Sequence, residues 1–280
     1  MGIHDAVFGS CVLTPLCKAF LNTPEHYRLK HVAMNNADIL YPGVLYSRRE
    51  HCIAVMELAR RWAQKLTQDE RLIDLIALTG LYHDVGHVAL SHTMDHFLVQ
   101  TGLPDHETRS THVVHRVNKR LGGKLSTTEE EFVCDAIAGR TRAGYPAWAY
   151  HIVHQPDRSL PDVDRIVYLC HDSYKLGFPC SIDVARITQN IYIHDTSLRF
   201  KPDCLKDLEY IVSLRASLFS RVFQHPVVVE YQTLLLSRFC ALYTEKRLVS
   251  MFNDFTWLDL TDILIWSILH KDEKTMYILP

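Results

Sequence analysis

The feature that most restricts the fold of this 280-residue chain is a segment, residues 71–82, that is apolar almost throughout. Its apolar side chains are Leu72, Ile73, Leu75, Ile76, Leu78 and Leu81. A run this apolar is typical of a helix that is buried on all sides. It therefore predicts a central helix with other helices packed around it, and we expect Gly86 to end that helix.

Other segments repeat apolar residues with helical spacing. Between Arg48 and Leu66 they recur every three or four residues, which predicts a helix with one buried face. Further helices are predicted after the overlapping capping boxes that begin at Ser126 and Thr127, over 164–176 with Gly177 as its end, and over 205–223 and 227–242 on either side of Pro226. Strand patterns occur only at 189–195 and 275–279, and 139–162 is predicted to be a long loop. The predicted fold class is therefore all-α, predominantly helical, with a few short strands.

Charge and hydropathy exclude several classes of protein. Lys and Arg number 30 and Asp and Glu 32, so the chain has no overall basic field for nucleic acid or for an anionic membrane. No apolar run approaches the roughly 18 residues of a spanning helix, and the N-terminus lacks the apolar stretch of a signal peptide. None of the eight cysteines forms a CxxC motif, and we interpret them as reduced thiols. We expect a cytoplasmic or nuclear protein without a membrane or nucleic-acid partner.

Histidine is abundant, at 17 residues, and one group of histidines follows the apolar segment. His83 and Asp84 come directly after it, and His87 and His92 follow. Carboxylate oxygen and imidazole nitrogen suit Mn, Fe, Zn, Ni or Mg better than a metal that selects thiolates. His51 and Asp164, each among the apolar residues of another predicted helix, are the natural candidates to complete a site, because a carboxylate there needs a partner.

The spacing alone leaves the metal site open. The dipeptide His-Asp also occurs at 4–5, 171–172 and 194–195, where it is more typical of a surface or capping pair. For 83–84, metal binding and an ordinary structural role are about equally supported by spacing.

The order His, His-Asp, Asp is the signature of the HD-domain metal-dependent phosphohydrolases, and this sequence resembles them. The matching segments are TPEHYRLK (23–30), YPGVLYSRREH (41–51), LTGLYHDVGHVALSH (78–92), HET (106–108), PDVDRIVYLCHDSYKLG (161–177), RASLFSRVFQH (215–225) and LTD (260–262). Within the family, the likeness is to the deoxynucleoside triphosphate triphosphohydrolases, particularly the branch with a sterile-alpha-motif domain ahead of the HD domain. It implies one HD-domain unit over 1–280, with a catalytic core at about 1–200 and a helical C-terminal lobe at about 201–280 that completes the pocket.

The resemblance also implies a role for each residue of the site. The implied ligands of a divalent metal are His51, His83, Asp84 and Asp164. The implied catalytic residues are His92 as general acid, His106 and Asp95 as its supporting pair, and His87 near the phosphates. The implied substrate contacts are Arg48, Arg165 and Arg215 to a triphosphate that carries Mg²⁺, Tyr168 and Asp172 to the sugar, and Asp162 and Gln224 in the pocket. The implied reaction converts a deoxynucleoside triphosphate into a deoxynucleoside and inorganic triphosphate.

Several positions depart from the family pattern. A glutamine that reads the sugar 3′-hydroxyl is replaced by Ala33 or Met34, and a tyrosine by Phe223, so we expect looser sugar discrimination with the phosphate chemistry retained. At the regulatory nucleotide site the family has an aspartate where this chain has Asn22, with Tyr27 and Lys30 replacing other contacts. The chain also ends at 280 without the family's long C-terminal lobe. We therefore do not expect nucleotide-triggered tetramerisation, and a homodimer is left open.

Two alternative functions remain. One is an HD phosphohydrolase acting on a nucleoside monophosphate or another phosphorylated metabolite, and the other is a non-catalytic nucleotide-binding HD protein. Arg215 and Gln224 argue against the first, since a monophosphate would not need the additional cation. The second predicts loss of metal ligands, and all four are present.

Overall fold

The computed structural model describes residues 2–157, 159–242 and 245–269, and the predicted strand at 275–279 lies outside them. The described part is mostly helical, which confirms the predicted fold class. Its helices are α1 (Pro15–Leu21), α2 (Pro24–Tyr27), α3 (Arg48–Leu66), α4 (Glu70–Tyr82), α5 (Ser91–Gln100), α6 (His106–Arg120), α7 (Thr127–Ile137), α8 (Ala147–Tyr150), α9 (Val163–Leu176), α10 (Val184–Asn190), α11 (Leu205–Leu218), α12 (Pro226–Leu242), α13 (Glu245–Asn253) and α14 (Asp262–Leu269).

The strands form two small antiparallel hairpins. In the first, β1 (Ile3–Asp5) pairs with β2 (Gly9–Cys11), and in the second, β3 (Ile191–His194) pairs with β4 (Ser197–Phe200). The predicted strand over 189–195 is thus shorter than expected, because its first two residues belong to the end of α10. The loop predicted over 139–162 contains only the single turn α8.

Helix α4 is the centre of the fold, as the apolar segment predicted. From Leu72 onward every residue of α4 except Asp74 is buried, and the helix packs against α1, α3 and α7. Gly80 permits the close approach to α3, since a Cβ atom there would lie 3.0 Å from the backbone of Met56. The central position of α4 fixes its C-terminal end, where the His-Asp pair stands, inside the molecule.

The expectation that Gly86 ends α4 was wrong. The helix ends at Tyr82, and Gly86 does not have the left-handed backbone conformation of a C-capping glycine. A Cβ atom on Gly86 would lie 2.2 Å from the carbonyl oxygen of His106 and 2.5 Å from the backbone nitrogen of Ser110. Glycine is required because the turn after the His-Asp pair packs directly on the first turn of α6.

Local capping sets the ends of the helices that carry site residues. Ser47 and Glu50 form a capping box at the start of α3, whose bounds match the prediction. Ser126 caps α7, so the first of the two overlapping capping boxes is the one that forms. Gly177 ends α9 in the left-handed conformation, with φ of 69°, as predicted.

The later helices differ from the prediction at one point. The helix predicted over 205–223 is α11 followed by a π-helical turn over Phe219–Phe223. Pro226 is the first residue of α12, where its missing N–H is not needed. The division of the chain near residue 200 stays a prediction. Within the described ranges, each helix is either too short or too polar to cross a bilayer.

Candidate active site

The four predicted metal ligands come together from three helices. His51 lies on α3, His83 and Asp84 follow α4, and Asp164 lies in the first turn of α9. The Nε2 atom of His51 is 3.3 Å from Nε2 of His83 and 2.9 Å from Oδ1 of Asp164. Nε2 of His83 is 3.4 Å from Oδ2 of Asp84 and 3.6 Å from Oδ1 of Asp164. Tertiary packing thus brings two imidazoles and two carboxylates to one point.

The orientation of His83 suits it to bind a cation. Its Nδ1 atom lies 2.8 Å from the carbonyl oxygen of Gly80. A carbonyl oxygen only accepts, so Nδ1 carries the hydrogen and Nε2 can present a lone pair to the cluster. His51 is fully buried, and its Nε2 faces the same point.

The two buried carboxylates at this point favour a positive charge beside them. Burial opposes the charge on His83, but Asp84 and Asp164 outweigh it and hold the pKa of His83 well above its usual value. Burial likewise tends to raise the pKa of Asp164, but hydrogen bonds with His51 and His83 outweigh it and lower that pKa. Burial lowers the pKa of His51, so this ring stays neutral, while the ionised carboxylates of Asp84 and Asp164 attract positive charge to this point. His51, His83 and Asp84 lie close enough together to hold a metal ion, and Asp164 adds a second carboxylate beside both imidazoles. Imidazole nitrogen and carboxylate oxygen together fit a divalent metal ion.

Arg48 lies between the metal cluster and the start of α5. It is 1% exposed, donates to a carboxylate oxygen of Asp84 and donates from Nε to Oγ of Ser91 at 2.9 Å. Arg48, the arginine predicted to bind the triphosphate, therefore lies beside the predicted metal ligand Asp84. Its contact with phosphate stays a prediction.

The three predicted catalytic histidines form a second cluster beside the first. The ring of His87 stacks on that of His106 with centroids 4.0 Å apart. The ring of His92 is edge-on to the ring of His87, with centroids 4.8 Å apart. His87 is fully buried, and neither of its ring nitrogens has a hydrogen-bond partner among the described residues. Its Nε2 is 3.5 Å from Oδ1 of Asp84, so this cluster is continuous with the metal cluster.

A chain of polar contacts supports His106. Its Nδ1 is 2.8 Å from Oδ2 of Asp95, and Oδ1 of Asp95 accepts from Nη2 of Arg109 at 2.7 Å. The predicted pairing of His106 with Asp95 is thus formed. Burial tends to raise the pKa of Asp95, but His106 and Arg109 lower it to about 2. Sequence reasoning missed Arg109, which is fully buried; its only sequence signal is its spacing of three residues from His106.

The predicted sugar contacts share one face of α9. Asp164, Tyr168 and Asp172 are spaced by four residues, which places them on the same side of the helix. The hydroxyl of Tyr168 accepts from Nε of Arg215 at 3.0 Å, and the Arg215 guanidinium lies 4.3 Å from the centroid of the Phe219 ring. Arg215 is exposed and joins α11 to this face.

Asp172 is buried and has two partners that the sequence did not predict. Its Oδ1 accepts from the hydroxyl of Tyr46 at 2.8 Å and from Nδ2 of Asn35 at 3.2 Å. Burial raises the pKa of Asp172 to about 7. Sequence comparison placed Ala33 or Met34 where the family has its sugar-reading glutamine, but the carboxamide that reaches Asp172 is that of Asn35. A shift of one or two residues in an irregular segment could not be read from the sequence.

The other pocket residues have local roles. Asp162 is the N-cap of α9 and accepts from the backbone N–H of Arg165 at 2.8 Å and of Gln155 at 3.2 Å. Burial and the nearby Asp164 raise the pKa of Asp162 to about 6. Arg165 donates from Nη1 to the carbonyl oxygen of Leu160 at 3.0 Å. Gln224 is exposed at the end of the π-helical turn.

A cavity of about 950 Å³ lies elsewhere in the fold. Its walls include Arg61, Tyr174, Phe178 and Asp183, and none of the predicted site residues lines it. The two histidine clusters, not this cavity, are therefore the candidate active site.

Comparison with known proteins agrees with this geometry. Residues 48–175, which contain both clusters, match the family model of the HD domain. The chain is 27% identical over 237 residues to the deoxynucleoside triphosphate triphosphohydrolase SAMHD1 homolog of Dictyostelium discoideum (80% of this chain, 46% of that protein). It is 22% identical over 289 residues to an HD domain-containing protein of Acanthamoeba polyphaga mimivirus (94% and 63%), and 25% identical over 277 residues to the deoxynucleoside triphosphate triphosphohydrolase SAMHD1 of Homo sapiens (85% and 44%). The chain spans about half the length of the curated relatives that it matches.

Proposed function

We propose that this chain, whose residues 48–175 match the family model of the HD domain, is a metal-dependent triphosphohydrolase that converts deoxynucleoside triphosphates into deoxynucleosides and inorganic triphosphate. The observation that carries the proposal is the direct contact between two clusters. A four-residue site suited to a divalent cation adjoins three histidines through the 3.5 Å approach of His87 to Asp84. The names of two of the relatives point to the same substrate class.

The cations around the clusters suit a triphosphate. A bound triphosphate carries about four negative charges, which need several fixed cations in addition to metal. Arg48 lies beside the metal cluster, Arg165 lies on α9, and Arg215 of α11 contacts Tyr168 of α9. One arginine guanidinium can donate two parallel hydrogen bonds to phosphate oxygens, so these side chains would hold the triphosphate in one orientation.

A bound divalent ion would supply a nucleophile at neutral pH by lowering the pKa of a water molecule. The leaving 5′-oxygen of the nucleoside needs a proton, and His92 is our general acid. His92 is exposed at the start of α5, but nearby protein and the charge of Arg48 lower its pKa to about 3, so His92 is neutral in the free protein. The negative charge of a triphosphate placed beside it would raise that pKa and favour the protonated form that a general acid needs. His106, which is held by Asp95, would orient the ring of His92.

The sugar would lie against α9. The ring of Tyr168, whose hydroxyl is held by Arg215, would pack on a deoxyribose and leave little room for a 2′-hydroxyl. Asp172 and Asn35 offer an acceptor and a carboxamide to the 3′-hydroxyl. Because asparagine is shorter than the family's glutamine, we expect discrimination among sugars to be looser than in the family.

Product analysis tests the reaction. The protein is incubated with each deoxynucleoside triphosphate and Mn²⁺ or Mg²⁺, and inorganic triphosphate and deoxynucleoside are measured. We expect equal amounts of the two products. Release of pyrophosphate or of single phosphates would contradict the proposed reaction and would favour another phosphohydrolase.

Paired variants test the metal site. His83→Ala and Asp164→Ala each remove a ligand, so activity is expected to fall by at least about 10³-fold. The matched control is His194→Ala, because His194 belongs to an exposed His-Asp pair in the β3–β4 hairpin. Full activity in Asp164→Ala would contradict the metal-site assignment.

A further inference from the structure

The segment 257–262, which we call the C-terminal clasp, lies against the loop that joins α4 to α5. The backbone N–H of Ala89 donates to the carbonyl oxygen of Leu260 at 2.8 Å, and that of Leu90 donates to Oδ1 of Asp262 at 3.0 Å. The other carboxylate oxygen of Asp262 accepts from the backbone N–H of Ala33 at 2.7 Å. One side chain thus ties the start of α14 to both the α4–α5 loop and the irregular segment before α3.

The loop that Asp262 holds has an unfavourable backbone. Leu90 and Ser91 have φ values of 60° and 46°, a left-handed conformation that is unfavourable for a residue with a side chain. Two such residues in succession persist only when surrounding contacts impose them. Ser91 accepts from Arg48 at 2.9 Å and donates to the carbonyl oxygen of Ala33 at 2.5 Å, and Asn36 donates to the carbonyl oxygen of Leu90 at 3.2 Å.

The same clasp also supports the first part of the loop. The ring of Trp257 lies 5.4 Å from the Arg28 guanidinium, and Nη2 of Arg28 donates to the carbonyl oxygens of Val85 and His87, each at 2.7 Å. The loop is therefore held near residues 85–87 through Trp257 and at Leu90 through Asp262. His92 is the second residue after Leu90, so the angle of the left-handed turn sets the direction in which its ring points.

We infer that Asp262 is a positioning residue, whose carboxylate holds the Leu90–Ser91 turn in its left-handed form and thereby places His92 beside His87 and His106. The inference rests on the proposed function for its catalytic consequence. Two backbone donors, on Ala33 and Leu90, require two acceptor oxygens. An aspartate supplies both, whereas an asparagine supplies one oxygen and a competing N–H donor.

Kinetics of Asp262→Asn and Asp262→Ala give the first test. Misplacing a catalytic group by about 1 Å can cost about 100-fold in rate, so we expect kcat to fall by about 10- to 100-fold. Mn²⁺ affinity is expected to stay within about twofold, since none of the four proposed metal ligands contacts Asp262. KM is expected to change less than kcat. Asp254→Asn, at an exposed carboxylate after α13, is the matched control and should match the wild type. Loss of Mn²⁺ affinity in parallel with kcat would mean general damage and would overturn the inference.

Amide hydrogen exchange gives a second test that needs no activity. In Asp262→Asn the amides of Ala33 and Leu90 should exchange faster, while amides within α4 should be unchanged. If the wild type releases no triphosphate but these two amides exchange faster in Asp262→Asn, the proposed reaction is contradicted. The role of Asp262 in holding the turn is then still supported. Unchanged exchange at both amides would refute the role of Asp262 whatever the activity.

Discussion

Asp172 illustrates how the burial of a single carboxyl group can lower the stability of the folded protein. It is 2% exposed, and both of its hydrogen-bond donors, Tyr46 and Asn35, are neutral. Burial therefore dominates and raises its pKa from the ordinary value of 3.8 to about 7. An ionised Asp172 is therefore disfavoured in the folded protein.

Asp172→Asn is expected to change the pH dependence of stability. Below about pH 4 the carboxyl is protonated in both the folded and the unfolded protein, so the variant and the wild type should differ little. As pH rises from 4 to 7 the unfolded chain releases this proton and the folded protein retains it, so the wild type loses stability. Above pH 7 the variant should have the larger free energy of unfolding, by roughly 2–4 kcal/mol.

Denaturant unfolding of both proteins between pH 4 and pH 8 measures this difference. Asp203→Asn, at an exposed carboxylate, is the control and should run parallel to the wild type. A wild type that is the more stable of the two at pH 8 would contradict the prediction.

Single residues also show where sequence reasoning stopped. His51, His83, Asp84 and Asp164 could be selected because a motif orders them along the chain, and the structure brings them together. Arg109, Asn35 and Tyr46 belong to no such motif. Each contacts a residue that is distant in the sequence or lies across an irregular segment, so their roles depend on packing that no local pattern encodes.

At the scale of elements, α4 and the turn after it determine the geometry of the site. The buried helix places His83 and Asp84 in the interior, and Gly86 lets the following turn reach α6, which carries His106. The helices that could be predicted, α3, α4, α7, α9, α11 and α12, are those whose periodicity or caps are visible locally in the sequence. The role of Gly86 was mistaken because its constraint comes from α6, twenty residues later in the chain.

Gly86→Ala tests this close approach. The added Cβ atom must displace either the turn or the start of α6, and overpacking of this kind costs about 1–3 kcal/mol. We also expect a loss of activity larger than the loss of stability would explain, since His87 and His106 lie on the two surfaces that move apart. Thermal unfolding and kcat measure the two effects. Gly43→Ala is the matched control, because a Cβ atom there would have no neighbour within 4 Å.

At the scale of the whole molecule, metal binding should stabilise the fold. The four predicted ligands come from α3, α9 and the end of α4, so one bound ion joins three helices. An ion present at 100 times its Kd adds about 2.7 kcal/mol to the free energy of unfolding, which corresponds to a rise in Tm of roughly 5 °C.

Thermal unfolding with and without Mn²⁺ measures this rise, and a chelator should reverse it. Asp164→Ala should lose most of the shift, whereas His194→Ala should keep it. An equal shift in Asp164→Ala would mean that the ion binds at another place in the protein.

The sequence by itself determined the class of the fold, the position of six of the described helices and a set of side chains suited to a metal and to phosphates. Helix periodicity, caps and the ordered His, His-Asp, Asp motif are all properties of short segments, so they can be read along the chain. Only the tertiary structure decided that Gly86 serves close packing, that Asn35 and Tyr46 reach Asp172, and that Asp262 holds the turn before His92. These contacts join residues separated by up to 229 positions, and the location of each partner depends on the complete fold.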